Sequence, residues 1–149
     1  MTFFPRTILL ATDGSEESGL ALEAAVDLAN KTGSSLHVVH VGLMSFWVYP
    51  DTTRSEQVEE LRREAQKVLD GEVKKVEEAG GTVAHAHVKM GRADVEIVRL
   101  SDEIEAGLIV MGNRGVGTIA RILLGSDAES IVRHAPCPVM IVRQEENGS

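Results

Sequence analysis

Three glycines and a serine carry the strongest chemical signal in this 149-residue chain. They fall between Leu108 and Ser126, in L-I-V-M-G-N-R-G-V-G-T-I-A-R-I-L-L-G-S, at the spacing G-x2-G-x9-G-S. The apolar run Leu108 to Met111 reads as a buried strand. Gly112 and Gly115 follow it and let bare backbone approach whatever lies at the strand's carboxyl end. Gly125 and Ser126 then open a helix running to His134. Backbone N–H groups, a hydroxyl and the positive end of a helix thus converge where an anion such as phosphate could sit. The alternative is that these glycines serve only as turns and helix caps; the strand-turn-helix context favours the anion site. A further chemical group, Asp13, ends the first expected strand, within T-I-L-L-A-T-D-G-S. It could hold a divalent ion that bridges phosphate oxygens, or simply turn the chain, since Asp-Gly is a common turn dipeptide.

Other constellations are weaker. Gly115-x-Gly117-x-x-Ala120 fits a dinucleotide fingerprint, but it lies late in the chain, and no Asp or Glu falls between Glu129 and Glu145 to contact a ribose. A Walker A pattern is absent. His85 and His87 alternate on an expected strand and so share a face, a geometry that can bind metal. Neither a cysteine nor a neighbouring histidine completes a set by spacing, and His37, His40 and His134 show no ligand spacing either, so polar residues on a strand edge are the expectation. Cys137, between two prolines, has no evident activating partner, and no nucleophile-base pair carries a motif of its own.

The elements that must position these groups follow from periodicity. Thr7 to Thr12 is continuously apolar up to its end, the pattern of a parallel strand covered on both faces. Ser15 can cap the next helix, with Glu16 and Glu17 opposing the positive end of its dipole; Leu20, Ala24 and Leu28 mark its apolar face, and Gly33 stops it. Leu36 to Val41 is a second buried strand. Gly42 to Arg54 has no clear period and holds Phe46, Trp47 and Tyr49; it reads equally as a lid or as an apolar cluster at a sheet edge or subunit contact. Val58, Leu61, Ala65, Val68, Val76 and Ala79 recur at helical spacing from Ser55 towards Gly80, with Gly71 as a weak point. Val83 to Val88 reads as a strand. Asp94 can cap a helix through Glu105 whose Val95, Val98 and Ile104 could face a sheet. Ser126 to His134 forms the last helix, stopped by Pro136 and Pro138, and Val139 to Val142 the last strand. A frayed tail is expected from Gln144. Strands alternating with helices predict one open, doubly wound α/β domain spanning residues 1–149, with ligands in the crevice beyond the strands' carboxyl ends.

Composition bounds the partners. The hydrophobic content of 43% suits one compact domain with a substantial core. A net charge of −8 with no dense Lys/Arg block argues against nucleic acid and against an anionic membrane. Residues 1–10 lack the long apolar core of a signal peptide, and a single cysteine cannot form an internal disulfide, so a cytoplasmic location is expected.

The glycine pattern, the flanking A-P-C-P-V-M-I-V-R, the opening T-I-L-L-A-T-D-G-S, the strand ending at Val41 and the G-R-A-D turn from Gly91 together resemble the ATP-binding branch of the universal stress protein family. The resemblance spans nearly the whole chain. It implies a five-stranded parallel sheet with helices on both faces, Rossmann-like and of the adenine-nucleotide α-hydrolase type. It also implies an ATP site, with Mg2+ or Mn2+ on the phosphates, formed by Ala11, Thr12, Asp13, Val41, Met111, Gly112, Arg114, Gly115, Gly125 and Ser126. Val41 resembles the family's adenine contact, Met111 and Arg114 flank the nucleotide, and Asp13 is the residue nearest the metal. Activity implied by the family is at most slow ATP hydrolysis or self-phosphorylation beside a nucleotide-dependent role towards a protein partner. The family's branch without the glycine pattern suggests an interaction module with no nucleotide as the rival reading. Asp127 departs from the family, which usually has an apolar residue there; a carboxylate at that point would repel phosphate unless it caps the helix or joins a metal shell. The family's usual dimer, and the unpaired backbone expected of a terminal edge strand, predict a homodimer through Val139 to Val142.

Overall fold

The computed structural model describes residues 5–43, 54–113 and 126–143. Along them run β1 (Thr7–Ala11), α1 (Glu16–Thr32), β2 (Ser35–Leu43), α2 (Arg54–Glu78), β3 (Val83–Gly91), α3 (Ala93–Glu103), β4 (Leu108–Gly112), α4 (Ser126–His134) and β5 (Val139–Val142). The strands form one five-stranded sheet in the order β3-β2-β1-β4-β5, and every pairing is parallel. This is the doubly wound α/β architecture expected. The aromatic stretch at 44–53 and the tail from Gln144 lie outside the described residues.

The apolar run of β1 is explained by its central place. Ile8 and Leu10 point into one core, packed with Leu36, Val38 and Val110 against Ala21, Ala25 and Val26 of α1 and Leu69 and Val76 of α2. Leu9 and Ala11 point the other way, joining Val39, Val41, Ile109 and Met111 against Ile97 and Leu100 of α3 and Ala128 and Ile131 of α4. Both faces are buried, so neither parity of the strand carries a polar residue from Ile8 to Ala11. Among the described residues no helix is long and apolar enough to cross a membrane.

Local expectations are met unevenly. Ser15 caps α1, its side chain accepting from the Ser18 N–H, and Gly33 ends the helix in the left-handed conformation. The buried face of α1, however, is Ala21, Leu22, Ala25, Val26 and Ala29, while Leu20, Ala24 and Leu28 sit at its margins. Helix α2 runs unbroken through Gly71, which lies on the exposed side; Ala79 falls just past its end. Asp94 does not cap α3. Arg92 holds the N-cap position without a side-chain bond, and the Asp94 carboxylate is drawn instead to Arg92 and Ser130. Helix α3 stops at Glu103, with Glu105 in the left-handed region at φ 54°. It buries Ile97 and Leu100, whereas Val95 is exposed. Val98 and Ile104 pack at the core's edge.

Candidate functional site

The sheet order reverses beside β1: β2 and β3 are laid on one side, β4 and β5 on the other. Loops leaving the carboxyl ends of β1 and β4 therefore run apart and leave a crevice between them, the usual ligand position in an open α/β sheet.

Its first wall is the turn after β1. The Thr12 N–H donates to the Val39 carbonyl at 3.0 Å, extending the sheet by one residue beyond β1. The Ser15 N–H then donates to Asp13 Oδ1 at 2.9 Å, and Gly14 takes φ 82°, a conformation that side-chain-bearing residues rarely adopt. Asp13 thus turns the chain and also lines the crevice. The Thr12 carbonyl accepts from His40 Nδ1 at 2.9 Å, so Nδ1 carries a proton.

The crevice encloses about 320 Å³, at the small end of the roughly 300–1,000 Å³ typical of ligand pockets. Ala11, Val41, Met111 and Gly112 form its apolar floor, and Asp13 and Asp127 bring carboxylates to it. Gly42 also lines it, at a close approach: a Cβ there would meet Met90 Sδ at 2.8 Å and Ala65 Cβ at 3.0 Å. A second cavity of about 280 Å³ shares Leu43, Ala93 and Asp127 with the first and adds Arg92, Asp94, Ser126 and Ser130. An apolar compartment therefore opens beside a polar one. The structure brings Ala11, Thr12, Asp13, Val41, Met111 and Gly112 around the first and places Ser126 on the second. Arg114, Gly115 and Gly125 lie outside the described residues.

Two polar arrangements escaped the sequence reading. Glu72 of α2 is buried, at 2% exposure; its carboxylate accepts the Thr12 hydroxyl and pairs with Lys75 Nζ at 2.8 Å. The signal was present: Ala65, Leu69, Glu72 and Val76 fall on one helical stripe, so a carboxylate on it needed a partner inside the protein. Asp94 receives a two-pronged contact from Arg92, at 2.9 and 3.2 Å, and the Ser130 hydroxyl of α4 at 2.7 Å. Burial pushes the Asp94 carboxyl up, but hydrogen bonds from Ser130, Arg92 and the Val95 backbone, with the Arg92 charge, outweigh it and hold the group below the usual carboxylate range. Here the signal was hidden, because Asp94 and Ser130 belong to different helices. Burial pushes the Cys137 thiol up, the opposite of an activated thiolate. His85 and His87 do share a face, but a third histidine, His37, stands against them, contrary to expectation.

Residues 5–143 match the universal stress protein family. A universal stress protein of Staphylococcus haemolyticus is 32% identical over 142 residues, covering 95% of this chain and 86% of that protein. Among solved structures, a universal stress protein family member from Burkholderia pseudomallei is 29% identical with a TM-score of 0.68, covering 92% of this chain and 95% of its own. A universal stress protein in complex with cAMP is 24% identical with a TM-score of 0.74, over 95% and 99% of the two chains.

Proposed function

The chain belongs to the universal stress protein family, and from that premise we propose that it binds ATP or a related adenine nucleotide in the crevice beside β1 and responds by changing how it engages a protein partner. The observation that carries this reading is the crevice itself: an apolar floor next to a polar compartment, at the point where the sheet order reverses. A relative solved in complex with cAMP supports an adenine ligand, although at 24% identity the likeness to that protein establishes a common fold and no more.

In this reading the base lies against Val41 and Met111, and the phosphates lie towards Ser126 at the start of α4. Asp13 and Asp127 are hard oxygen donors of the kind that suits Mg2+ or Mn2+. No cluster of three or more potential protein ligands occurs among the described residues. A divalent ion would supply the positive charge that lets a polyphosphate lie beside two carboxylates.

Calorimetry with adenosine, AMP and ATP, with and without Mg2+, tests the assignment. Ser126→Ala should weaken ATP by about 0.5–1.5 kcal/mol, the worth of one ordinary hydrogen bond. Asp127→Asn should tighten ATP measured without Mg2+ several-fold while leaving adenosine unchanged, since it removes a like charge from the phosphates and not from the ring. Absence of binding by any adenine nucleotide would end the proposal. Equal effects of Asp127→Asn on adenosine and ATP would move the phosphates elsewhere.

A further inference from the structure

His37, His85 and His87 meet because the β2–β3 register shifts between Leu36 and His37. Leu36 lies opposite Val83, but the next residue, His37, lies opposite His85, and Val39 lies opposite His87. An unshifted ladder would have set Ala84 opposite His37 and sent both β3 histidines to the other face. With the shift, all three imidazoles share the sheet face that carries Val39 and Val41. None of them lines either cavity of the nucleotide crevice.

The rings are close. His37 Nδ1 and His87 Nε2 are 3.0 Å apart, with the rings stacked at 10° and 5.3 Å between centroids. The His85 centroid lies 5.0 Å from that of His37 and 6.3 Å from that of His87. His85 is exposed and has room to turn, whereas His37 and His87 are half-buried. The 3.0 Å nitrogen separation is that of an N–H···N hydrogen bond; an ion with metal–imidazole bonds of about 2.0–2.1 Å enters beside the N···N line once both rings turn their lone pairs to it. Imidazole sites generally bind Cu2+ more tightly than Ni2+ or Zn2+.

We propose that His37 and His87 chelate a divalent transition-metal ion, Cu2+ or Ni2+ ahead of Zn2+, with exposed His85 turning in as the third ligand. In the arrangement seen, two nitrogens face each other and no three ligands have yet converged among the described residues. One of the facing nitrogens carries the shared hydrogen; moving it to the other nitrogen of the same ring frees both lone pairs, so the neutral pair binds without losing a proton. Burial first, and the neighbouring imidazoles after it, hold His37 and His87 below the ordinary histidine range. Lys89 acts on His87 in the same direction, and Glu103 at the end of α3 opposes it with a negative charge that would also attract a cation.

The test uses the full chain without an affinity tag, freed of metal, titrated with Cu2+, Ni2+ and Zn2+ by calorimetry at pH 7.5. Electron paramagnetic resonance of the Cu2+ form accompanies it. One ion per chain is expected, Cu2+ tightest, with nitrogen coupling in the spectrum. His37→Gln and His87→Gln should each weaken Cu2+ at least about 10-fold, and His85→Gln should weaken it less. His134→Gln, at an exposed histidine on α4, should change nothing. Glutamine keeps a hydrogen-bonding side chain, and circular dichroism of each variant checks that the fold is kept. Wild-type affinity in the His37→Gln, His87→Gln double variant, no nitrogen coupling, or Zn2+ binding more tightly than Cu2+ would each overturn the proposal.

Discussion

A carboxylate that is 2% exposed, as that of Glu72 is, survives in a core only where its oxygens are engaged. Thr12 supplies a hydroxyl to one oxygen and Lys75 an ammonium to the other. Thr12 itself is held on several sides: its backbone N–H on Val39, its carbonyl on His40, its side chain on Glu72 and 3.0 Å from the Ser18 hydroxyl. The residue at the lip of the crevice is thereby tied to α1, α2 and β2 at once. Thr12→Val keeps the shape and removes the hydroxyl, leaving a buried carboxylate oxygen short of a donor. It should cost about 1–3 kcal/mol, read by urea denaturation at pH 7. Adding Glu72→Leu should recover much of that loss, because removing both partners leaves nothing unsatisfied. Losses that simply add would show that the contact carries no coupling. The Glu72 stripe was legible in the heptad-like spacing of α2; the identity of its partner was not, since sixty residues separate them in the chain.

Helices α3 and α4 are pinned together by Asp94 and Ser130 beside the polar compartment of the crevice. With Asp94 held below its ordinary carboxylate range, ionisation stabilises the folded state. That contribution is complete above the unfolded value, about pH 3.9, and disappears as pH falls through the lower folded value. Asp94→Asn should therefore be less stable than wild type at pH 7, by about 1–3 kcal/mol. The gap should close as pH falls below about 4. Thermal melts of both proteins across pH 2–7 measure it; a gap that stays constant to the lowest pH would contradict the role. The same helices show why legibility was uneven. Buried strands declared themselves through unbroken apolar runs, as in Ile8 to Ala11 and Leu108 to Met111, because burial on both faces leaves no room for polar residues. The inward faces of α1 and α3 did not, because each carries apolar residues around more than half its circumference, and only packing decides that Ile97 rather than Val95 is buried. At the crevice, Asp13, Val41 and Gly112 were placed by their positions at strand ends, whereas Ala11, Thr12 and Met111 entered only through the family resemblance; all six line it. The histidine trio was not legible, because a one-residue shift in strand pairing leaves no mark in the sequence.

Across the whole molecule, the two edges of the sheet differ. Edge strand β5 is four apolar residues, with Met140 37% exposed and Val132 of neighbouring α4 48% exposed. We propose that two copies pair there about a twofold axis, each satisfying the other's edge. Light scattering at micromolar concentration should give twice the chain mass, and Val139→Asp should reduce it to one; a wild-type monomer would dismiss the pairing. The opposite edge, β3, is unlike it: nine residues long, carrying His85, His87 and Lys89, with a register irregularity near its start. Such an edge is poorly suited to receive β5 of another molecule. Adhesion that joins like edge to like edge closes on itself after one step, whereas adhesion between unlike edges would repeat without limit. Pairing of β5 with β5 alone would thus act as a stop on growth, covering an apolar strand without making the protein a seed for filaments.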